Sequence, residues 1–412
     1  MAVTITSSPA TTPRPAGQYL IYTLDETATP DRFIVQVYRS TSTTTVGAEQ
    51  AKIYLVPNAS GVSHFDLSRI AEGILEYPLS KGGVAIHAVQ DAAKVFFCDE
   101  LALLKFTVRA GQYNGTTESL NQDNDEVYLL RGVEQISSGL NPSFSDYYPT
   151  GTSQKAWLTD RQYDTSNSRI NMRMAIDDEA VALIMLTDNM GQSTSVDTIQ
   201  ITGFDASGSV ISTVSATVSA STNTKENLLC VPIGPAHWSF LGLTGSLAYV
   251  DFNAYKSTAT AQLKSQKIRV TLDERPCKHD ATQLAWINSR GGWDYLRFDG
   301  RAPYTVNTTS KEYRKNVGTY GQATFTIASD IQQYDVYGKV AKDAYTLTEQ
   351  FFTAEERDLL QYLMRSNVVQ MRVGTGEWEP CIVRNNSLRI EPQGSKFYAV
   401  SLDVEIARDI RC

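Results

Sequence analysis

Acidic residues form one dense group that could supply the paired carboxylates of a hydrolase. Asp177, Asp178 and Glu179 follow one another directly. A glycosidase needs two carboxyl groups about 5–5.5 Å apart when it retains stereochemistry, and further apart when it inverts it. Spacing along the chain does not fix that distance, so a β-rich glycoside hydrolase remains an alternative rather than the expectation.

A second acidic group could hold a metal ion. Asn121, Asp123 and Asp125 alternate as the oxygen ligands of a Ca²⁺ loop do, and Glu126 follows them. The glycine and the closing glutamate of an EF-hand are absent from the required positions. We therefore expect a solvated acidic loop here, with Ca²⁺ binding as the alternative.

Other motifs that carry chemistry are missing from the sequence. The four histidines form no HExxH or HxH pattern, the five cysteines form no CxxC pair, and no phosphate-binding glycine loop or GxSxG elbow occurs. The sequence thus predicts no catalytic residue, no cofactor-binding residue, no cofactor and no metal ligand, and the expected protein is not an enzyme.

Aromatic residues are the most informative feature of the chain. Leu284–Ile287 and Trp293–Phe298 predict two strands of a hairpin around Gly291 and Gly292, which can adopt positive φ in the turn. Exposed aromatic rings can stack on sugars, as in a carbohydrate-binding module, or form subunit interfaces, where tyrosine and tryptophan are enriched. We favour the interface, with the candidate residues Tyr147, Tyr148, Trp286, Trp293, Tyr295, Tyr304 and Tyr313.

Charge and hydropathy narrow the possible partners. The net charge of −8 argues against specific nucleic-acid binding. Residues 264–315 carry 11 Lys and Arg against 6 Asp and Glu, a local charge of +5. This excess is either ordinary surface variation or a basic face that docks on an acidic partner. We expect no membrane span, because no apolar run approaches the roughly 20 residues required, and no secretory signal is evident.

The elements that would position these residues are mainly strands. Short apolar and alternating runs separated by turn residues predict a mainly β, multi-domain chain of antiparallel β-sandwich-like units with two short helices. The expected segments are a flexible N-terminal arm (1–18), a β-rich domain with one helix (19–110), a loop-rich connector (111–165), a β-sandwich domain (166–273) and a C-terminal β-rich domain with one helix (274–412).

Both predicted helices carry start signals. Asp66 is a suitable N-cap for a short helix that places Leu67, Ile70 and Ile74 on one face. Thr353 and Glu356 form a capping box, and the helix that follows is expected to run to about Arg365 with an apolar stripe at Leu359, Leu360 and Leu363.

Three stretches together resemble structural proteins of tailed bacteriophages, particularly those of Bacteroidetes-type hosts. They are Tyr54–Ser68, the pattern of Trp, Asn, Gly-Gly and Asp residues within Cys277–Phe298, and Leu359–Arg408. The motifs are loose and cover about half of the chain in pieces.

The resemblance implies a non-enzymatic tail-tip, baseplate or adaptor protein that assembles into rings. Its implied partners are copies of itself and other virion structural proteins, with a host surface glycan as a further candidate. Its implied location is the virion, after synthesis in the host cytoplasm. A receptor-binding or carbohydrate-binding tail module is the first alternative function.

Overall fold

The structure is a computed structural model with two compact units, each described here by itself. It describes residues 3–9, 13–26, 30–132, 157–186, 196–218, 221–257, 262–274, 280–314, 318–320, 323–327, 334–349, 354–384, 400–407 and 410–411. Unit 1 comprises Met1–Pro276 and Ala285–Tyr295, and unit 2 comprises Cys277–Leu284 and Leu296–Cys412.

Within the described residues, eighteen strands and one α-helix precede the hairpin that the sequence predicts. The strands are β1 (Thr4–Ser7), β2 (Arg14–Pro15), β3 (Ile21–Asp25), β4 (Arg32–Ser40), β5 (Ala48–Leu55), β6 (Val62–Asp66), β7 (Ser80–Lys81), β8 (Val84–Ala85), β9 (Leu103–Asn114), β10 (Thr117–Leu130), β11 (Arg169–Met174), β12 (Val181–Met185), β13 (Thr198–Phe204), β14 (Val210–Thr217), β15 (Leu228–Pro232), β16 (Tyr249–Lys256), β17 (Gln262–Leu263) and β18 (Lys267–Leu272). The helix α1 spans Ser68–Ile74.

Ten strands and a second helix complete the described chain. The strands are β19 (Thr282–Ile287), β20 (Trp293–Phe298), β21 (Tyr304–Arg314), β22 (Gly318–Tyr320), β23 (Phe325–Ile327), β24 (Tyr334–Glu349), β25 (Val369–Val373), β26 (Glu379–Val383), β27 (Val400–Ile406) and β28 (Ile410–Arg411). The helix α2 spans Ala354–Arg365.

The first part of unit 1 encloses an apolar core between two sheets and α1. One sheet has the order β1-β3-β6 and the other has the order β2-β10-β9-β4-β5. Alternate residues of β9, such as Leu104, Phe106 and Val108, point into this core and are fully buried. The alternation follows from the two-residue period of a strand, which brings every second side chain to the same face.

The N-terminal segment is part of this core, so the prediction of a flexible arm is wrong for its described residues. β1 pairs with β3, and β2 pairs in parallel with the end of β10. Val3 is fully buried, and its amide donates to Gln122 Oε1 at 2.8 Å. A bulge in β10, where Asn121 adopts a φ of +56°, presents Gln122 and Asp123 to the incoming strand.

The predicted loop-rich connector begins as a long hairpin instead. β9 and β10 pair across the predicted domain boundary at residue 110, with a two-residue turn at Gly115-Thr116. Gly115 has a φ of +64°, which suits a tight hairpin turn. Residues 111–130 are therefore strand rather than loop, and residues 133–156 lie outside the described part of the chain.

The second part of unit 1 agrees closely with the sequence analysis. The sequence predicts seven strands here, at 170–176, 180–187, 198–204, 210–218, 228–232, 248–255 and 266–272. All seven are present, each within two residues of these bounds. The main sheet has the order β11-β18-β16-β13-β14, and β12 pairs with β15 separately. Every second residue of β13, for example Ile199 and Ile201, is buried, whereas the residues between them are partly exposed.

Unit 2 contains the neighbouring strands β25-β26-β27-β24-β21 of one sheet. The predicted apolar stripe of α2 is confirmed, because Leu359, Leu360 and Leu363 are buried. The capping residue Thr353 lies outside the described residues.

The fold class is confirmed: the protein is mainly β, with several antiparallel sheets and two α-helices in its described part. Two ladders, β2 with β10 and β11 with β18, are parallel. Both helix positions agree with the sequence analysis, although the first helix begins after Leu67, and Asp66 accepts the Ser68 amide at 3.0 Å.

Candidate functional site: an exposed β-ribbon

The strands β21 and β24 of unit 2 form a long antiparallel ribbon. Tyr304 pairs with Tyr345 at one end, and Arg314 pairs with Tyr334 at the other. β21 is the last strand of the sheet, and all eleven of its residues are exposed. Side chains on both faces of β21 are therefore exposed to solvent, whereas a strand that packs on a hydrophobic core buries one face.

The ribbon carries a concentration of exposed apolar and aromatic side chains. At about 3.3 Å per residue, its eleven-residue strand is about 36 Å long. Six large side chains on the two strands are between 47% and 65% exposed, namely Tyr304, Val306, Tyr313, Tyr334, Val336 and Tyr337. Exposed apolar patches of this kind mark interaction surfaces, and a two-stranded ribbon without a covering layer is only marginally stable in water.

Two tyrosines of the ribbon are fixed by neighbouring carboxylates. The Tyr304 hydroxyl donates to Asp343 Oδ1 at 2.6 Å, and the Tyr313 hydroxyl donates to Asp335 Oδ2 at 3.3 Å. The Asp343 carboxylate raises the pKa of Tyr304 to about 12, because it stabilises the protonated hydroxyl. The Tyr304 ring also lies 5.2 Å from the Tyr345 ring, centroid to centroid. The exposed rings of Tyr304 and Tyr313 are therefore held in defined orientations on the ribbon.

The predicted interface residues divide into three groups. Tyr304 and Tyr313 are exposed, and both lie in the strand β21 of the ribbon. Trp286, Trp293 and Tyr295 are at most 2% exposed, so their side chains are not available to a second subunit. Tyr147 and Tyr148 lie outside the described residues.

The aromatic residues Trp293 and Tyr295 of the hairpin are buried because they contact other residues of the same chain. Trp293 Nε1 donates to the Pro78 carbonyl at 2.8 Å, and its ring meets His87 edge-on. The Tyr295 hydroxyl accepts from Val181 N at 2.9 Å and lies 2.7 Å from His87 Nδ1. The expectation that these two residues form a subunit interface is corrected by these contacts, and their role is to anchor the fold.

The turn of the hairpin is held closely against the rest of unit 1. Gly291 has a φ of +79°, whereas Gly292 does not adopt positive φ, so only one of the two glycines has the predicted conformation. A Cβ atom on Gly292 would lie 2.0 Å from the Leu158 carbonyl oxygen. Asn288 Nδ2 donates to that same oxygen at 3.0 Å. Glycine is thus required at 292 by close backbone contact.

A buried pair of carboxylates joins this turn to residues 158–161, and the sequence analysis missed it. Asp294 accepts the Thr159 hydroxyl at 2.5 Å and the Asp160 amide at 2.9 Å. Asp160 accepts the Ser289 amide at 2.8 Å and the Ser289 hydroxyl at 2.5 Å. The two acids are 134 positions apart, so no local sequence pattern could have paired them.

The environment of this pair favours a proton on Asp160. Burial and the neighbouring Asp294 carboxylate raise the pKa of Asp160 to about 7, and the hydrogen bonds from Ser289 oppose that rise. Arg290 Nε, 3.3 Å from Asp160 Oδ1, also opposes it. The Asp160 side chain is only 2% exposed and the Asp294 residue is fully buried. The pair is closed to a polymer substrate and serves to hold the turn.

The acidic residues that the sequence suggested for catalysis or Ca²⁺ binding include carboxylates that accept backbone amides within the fold. Asp178 is buried, and its Oδ2 accepts the Ala175 amide at 2.8 Å within a turn. Asn121, Asp123 and Asp125 lie in β10 rather than in a solvated loop, and Asp123 Oδ2 accepts the Ile5 amide at 2.7 Å. In the part of the chain that the structure describes, no group of three or more His, Cys, Asp or Glu side chains is arranged to hold a metal ion.

The local positive charge is partly neutralised. Four of its eleven cations form ion pairs within the chain, namely Lys267 and Arg269 with Asp251, Arg290 with Asp160, and Arg297 with Asp299. Lys264 is buried. The described residues therefore do not support one continuous basic docking face.

Comparisons with known proteins add little. No protein-family model and no curated protein matches the sequence. A solved structure described as a marsupial T cell receptor overlaps 84% of this chain and 96% of its own, at 7% identity and a TM-score of 0.19. An overlap of this quality carries no structural argument. Separately, none of the described helices is long and apolar enough to cross a membrane.

Proposed function

We propose that the protein is a non-enzymatic structural component of a phage tail, at the tail tip, baseplate or adaptor, and that it acts by binding copies of itself and other virion proteins. The observation that carries the proposal is the β21–β24 ribbon, in which an eleven-residue edge strand is exposed on both faces. Folded monomers normally shorten, charge or cover such an edge, because it pairs readily with other chains.

The composition of the ribbon supports a protein partner. Tyrosine and valine provide apolar area, and hydroxyl groups and a few charges of both signs surround them, as in protein interfaces. The tail assignment within this proposal rests on the resemblance of the three sequence stretches to phage tail proteins. Assembly in a ring would require a heterologous contact between two different surfaces of the chain.

A direct test is the mass of the purified full chain across a wide concentration range, followed by negative-stain electron microscopy. The proposal predicts a discrete oligomer with ring-like particles. A chain that stays monomeric at high concentration, and that binds no other virion protein, contradicts the proposal.

A carbohydrate-binding tail module is the second candidate, because Tyr313 and Tyr337 lie side by side with ring centroids 6.1 Å apart. Neighbouring exposed rings can stack on sugar faces. Binding to defined polysaccharides on a glycan array, lost on Tyr337→Ala but unchanged for Tyr54→Ala elsewhere on the surface, would favour this candidate. Tyr54 is a suitable control because it is also exposed.

A further inference from the structure

The described sheets end in several edge strands, and most of these edges are protected. β1, β2 and β6 have five residues or fewer. β5 carries Glu49 and Lys52, and β11 carries Arg169 and Arg173. The residues of β20 are mostly buried. Shortness, charge and burial are the usual means of preventing edge-to-edge association.

Two of the described edges lack this protection, and they belong to different sheets. The first is β21 in unit 2, where the seven residues from Tyr304 to Ser310 carry no charge and no proline. The second is β14 in unit 1, where the eight residues from Val210 to Thr217 carry no charge and no proline either. Each is the last strand of its sheet, and no described strand pairs with its outer edge.

The two edges match in length and character. Seven residues of β21 extend about 23 Å and eight residues of β14 about 26 Å at the usual rise per residue. Both segments combine several hydroxyl side chains with valine, and Val210 and Ile211 of β14 are 60% and 37% exposed. One irregularity is present, an extra residue at Ile211 near the start of β14, which leaves Ser212–Thr217 regular.

From these observations we infer that β21 of one subunit pairs with β14 of a second copy of this chain, which forms a continuous β-sheet across the subunit contact. The inference rests on the proposed function and specifies its contact. Main-chain hydrogen bonds between added strands supply the affinity in this mode of recognition.

Charge and symmetry favour this pairing over β21 with β21. A parallel, in-register β21 pair would place Lys311, Glu312 and Arg314 opposite their own copies, and like charges directly opposite are destabilising. An antiparallel β21 pair avoids that repulsion but leaves β14 unprotected in every subunit. Pairing β21 with β14 covers both edges, and a head-to-tail contact of this type continues from subunit to subunit and can close a ring.

Cysteine cross-linking of the full chain tests the inference. Thr308→Cys on β21 and Ser215→Cys on β14 are introduced singly and together, and each protein is treated with a short bis-maleimide cross-linker before denaturing electrophoresis. Both positions are exposed. We expect a ladder of dimers, trimers and larger species from the double variant and no ladder from either single variant. A protein with Thr308→Cys and Ser60→Cys, whose second cysteine lies on an exposed turn, and the wild-type protein are the controls.

The alternative outcomes separate the inference from the proposed function. Dimers from Thr308→Cys alone would show β21-to-β21 pairing and overturn the inference. No cross-linking by the double variant, in a protein whose wild type forms oligomers, would also overturn the inference while leaving assembly intact. A wild type that remains monomeric would overturn the inference, and it would contradict the proposed function as well if the chain also binds no other virion protein.

Discussion

Gly292 occupies a position in the hairpin turn where a side chain has no room. Its Cβ would lie 2.0 Å from the Leu158 carbonyl oxygen, and backbone cannot yield as a flexible side chain can. Gly292→Ala should therefore lower the free energy of unfolding by at least about 2 kcal/mol, measured by chemical denaturation. The matched control is Gly73→Ala in α1, where nothing lies within 4 Å of the added atom. That variant should gain about 0.4–1 kcal/mol, and a Gly292→Ala protein of wild-type stability would refute the account of the turn.

Asp160 makes the stability of unit 1 depend on pH. Because its folded pKa of about 7 lies above the ordinary value of 3.8, its contribution is fully present below about pH 4 and is lost as the pH rises through 7. Between pH 5 and pH 8 the wild-type free energy of unfolding should fall by on the order of 2 kcal/mol through this group. Asp160→Asn removes the titration, so the difference between wild type and variant should change over this range. A constant difference from pH 5 to pH 8 would show that Asp160 does not titrate there.

Val3 is the residue that distinguishes an integrated N-terminal strand from a flexible arm. It is fully buried, whereas its neighbour Thr4 is exposed. Val3→Ala should cost about 1–3 kcal/mol of unfolding free energy, and Thr4→Ala should stay within about 0.5 kcal/mol of wild type. Equal stability of the two variants would support the flexible arm that the sequence suggested.

At the scale of elements, the sequence predicts those helices and strands that are specified by residues close together in the chain. The hairpin β19–β20 was predicted to within two residues because a glycine pair interrupts two apolar runs. The helix α2 was predicted because a capping residue precedes a helical apolar stripe. The seven strands of the second part of unit 1 alternate clearly and are separated by turn residues.

The elements that were missed depend on distant partners or on polar strands. Much of β10 is polar, so Thr117–Asp125 resembled a loop, although Asn114-Gly115 is a strong hairpin turn signal. The sequence of β21 does not predict a strand, because its apolar residues face solvent on the ribbon rather than a core. The burial of Val3 depends on a bulge more than a hundred residues away, and the Asp160–Asp294 pair depends on the packing of two distant segments.

At the scale of the whole molecule, the two units contain different features. Unit 1 holds the buried carboxylate pair and the packed hairpin turn. Unit 2 supplies the exposed ribbon, and each unit contributes one unprotected sheet edge. A chain with these features is suited to repeated assembly, and its ordinary acidic net charge of −8 favours solubility before assembly.

The ribbon should govern assembly without governing folding. Val306→Lys combined with Thr308→Lys adds two charges to the exposed edge strand, which is the protection that other edges of this protein already have. We expect unchanged thermal unfolding of the chain and a shift of the oligomer toward monomer. Equivalent charges at Ser60 and Ala59, on an exposed turn, should leave the mass unchanged.

The central claim is that the protein acts by assembling with copies of itself through this edge. Its most direct test is sedimentation velocity of the wild type and the Val306→Lys, Thr308→Lys protein at matched concentrations. The account predicts a discrete oligomer for the wild type and monomer for the variant. Identical sedimentation of the two proteins, whether as monomer or as oligomer, would contradict it.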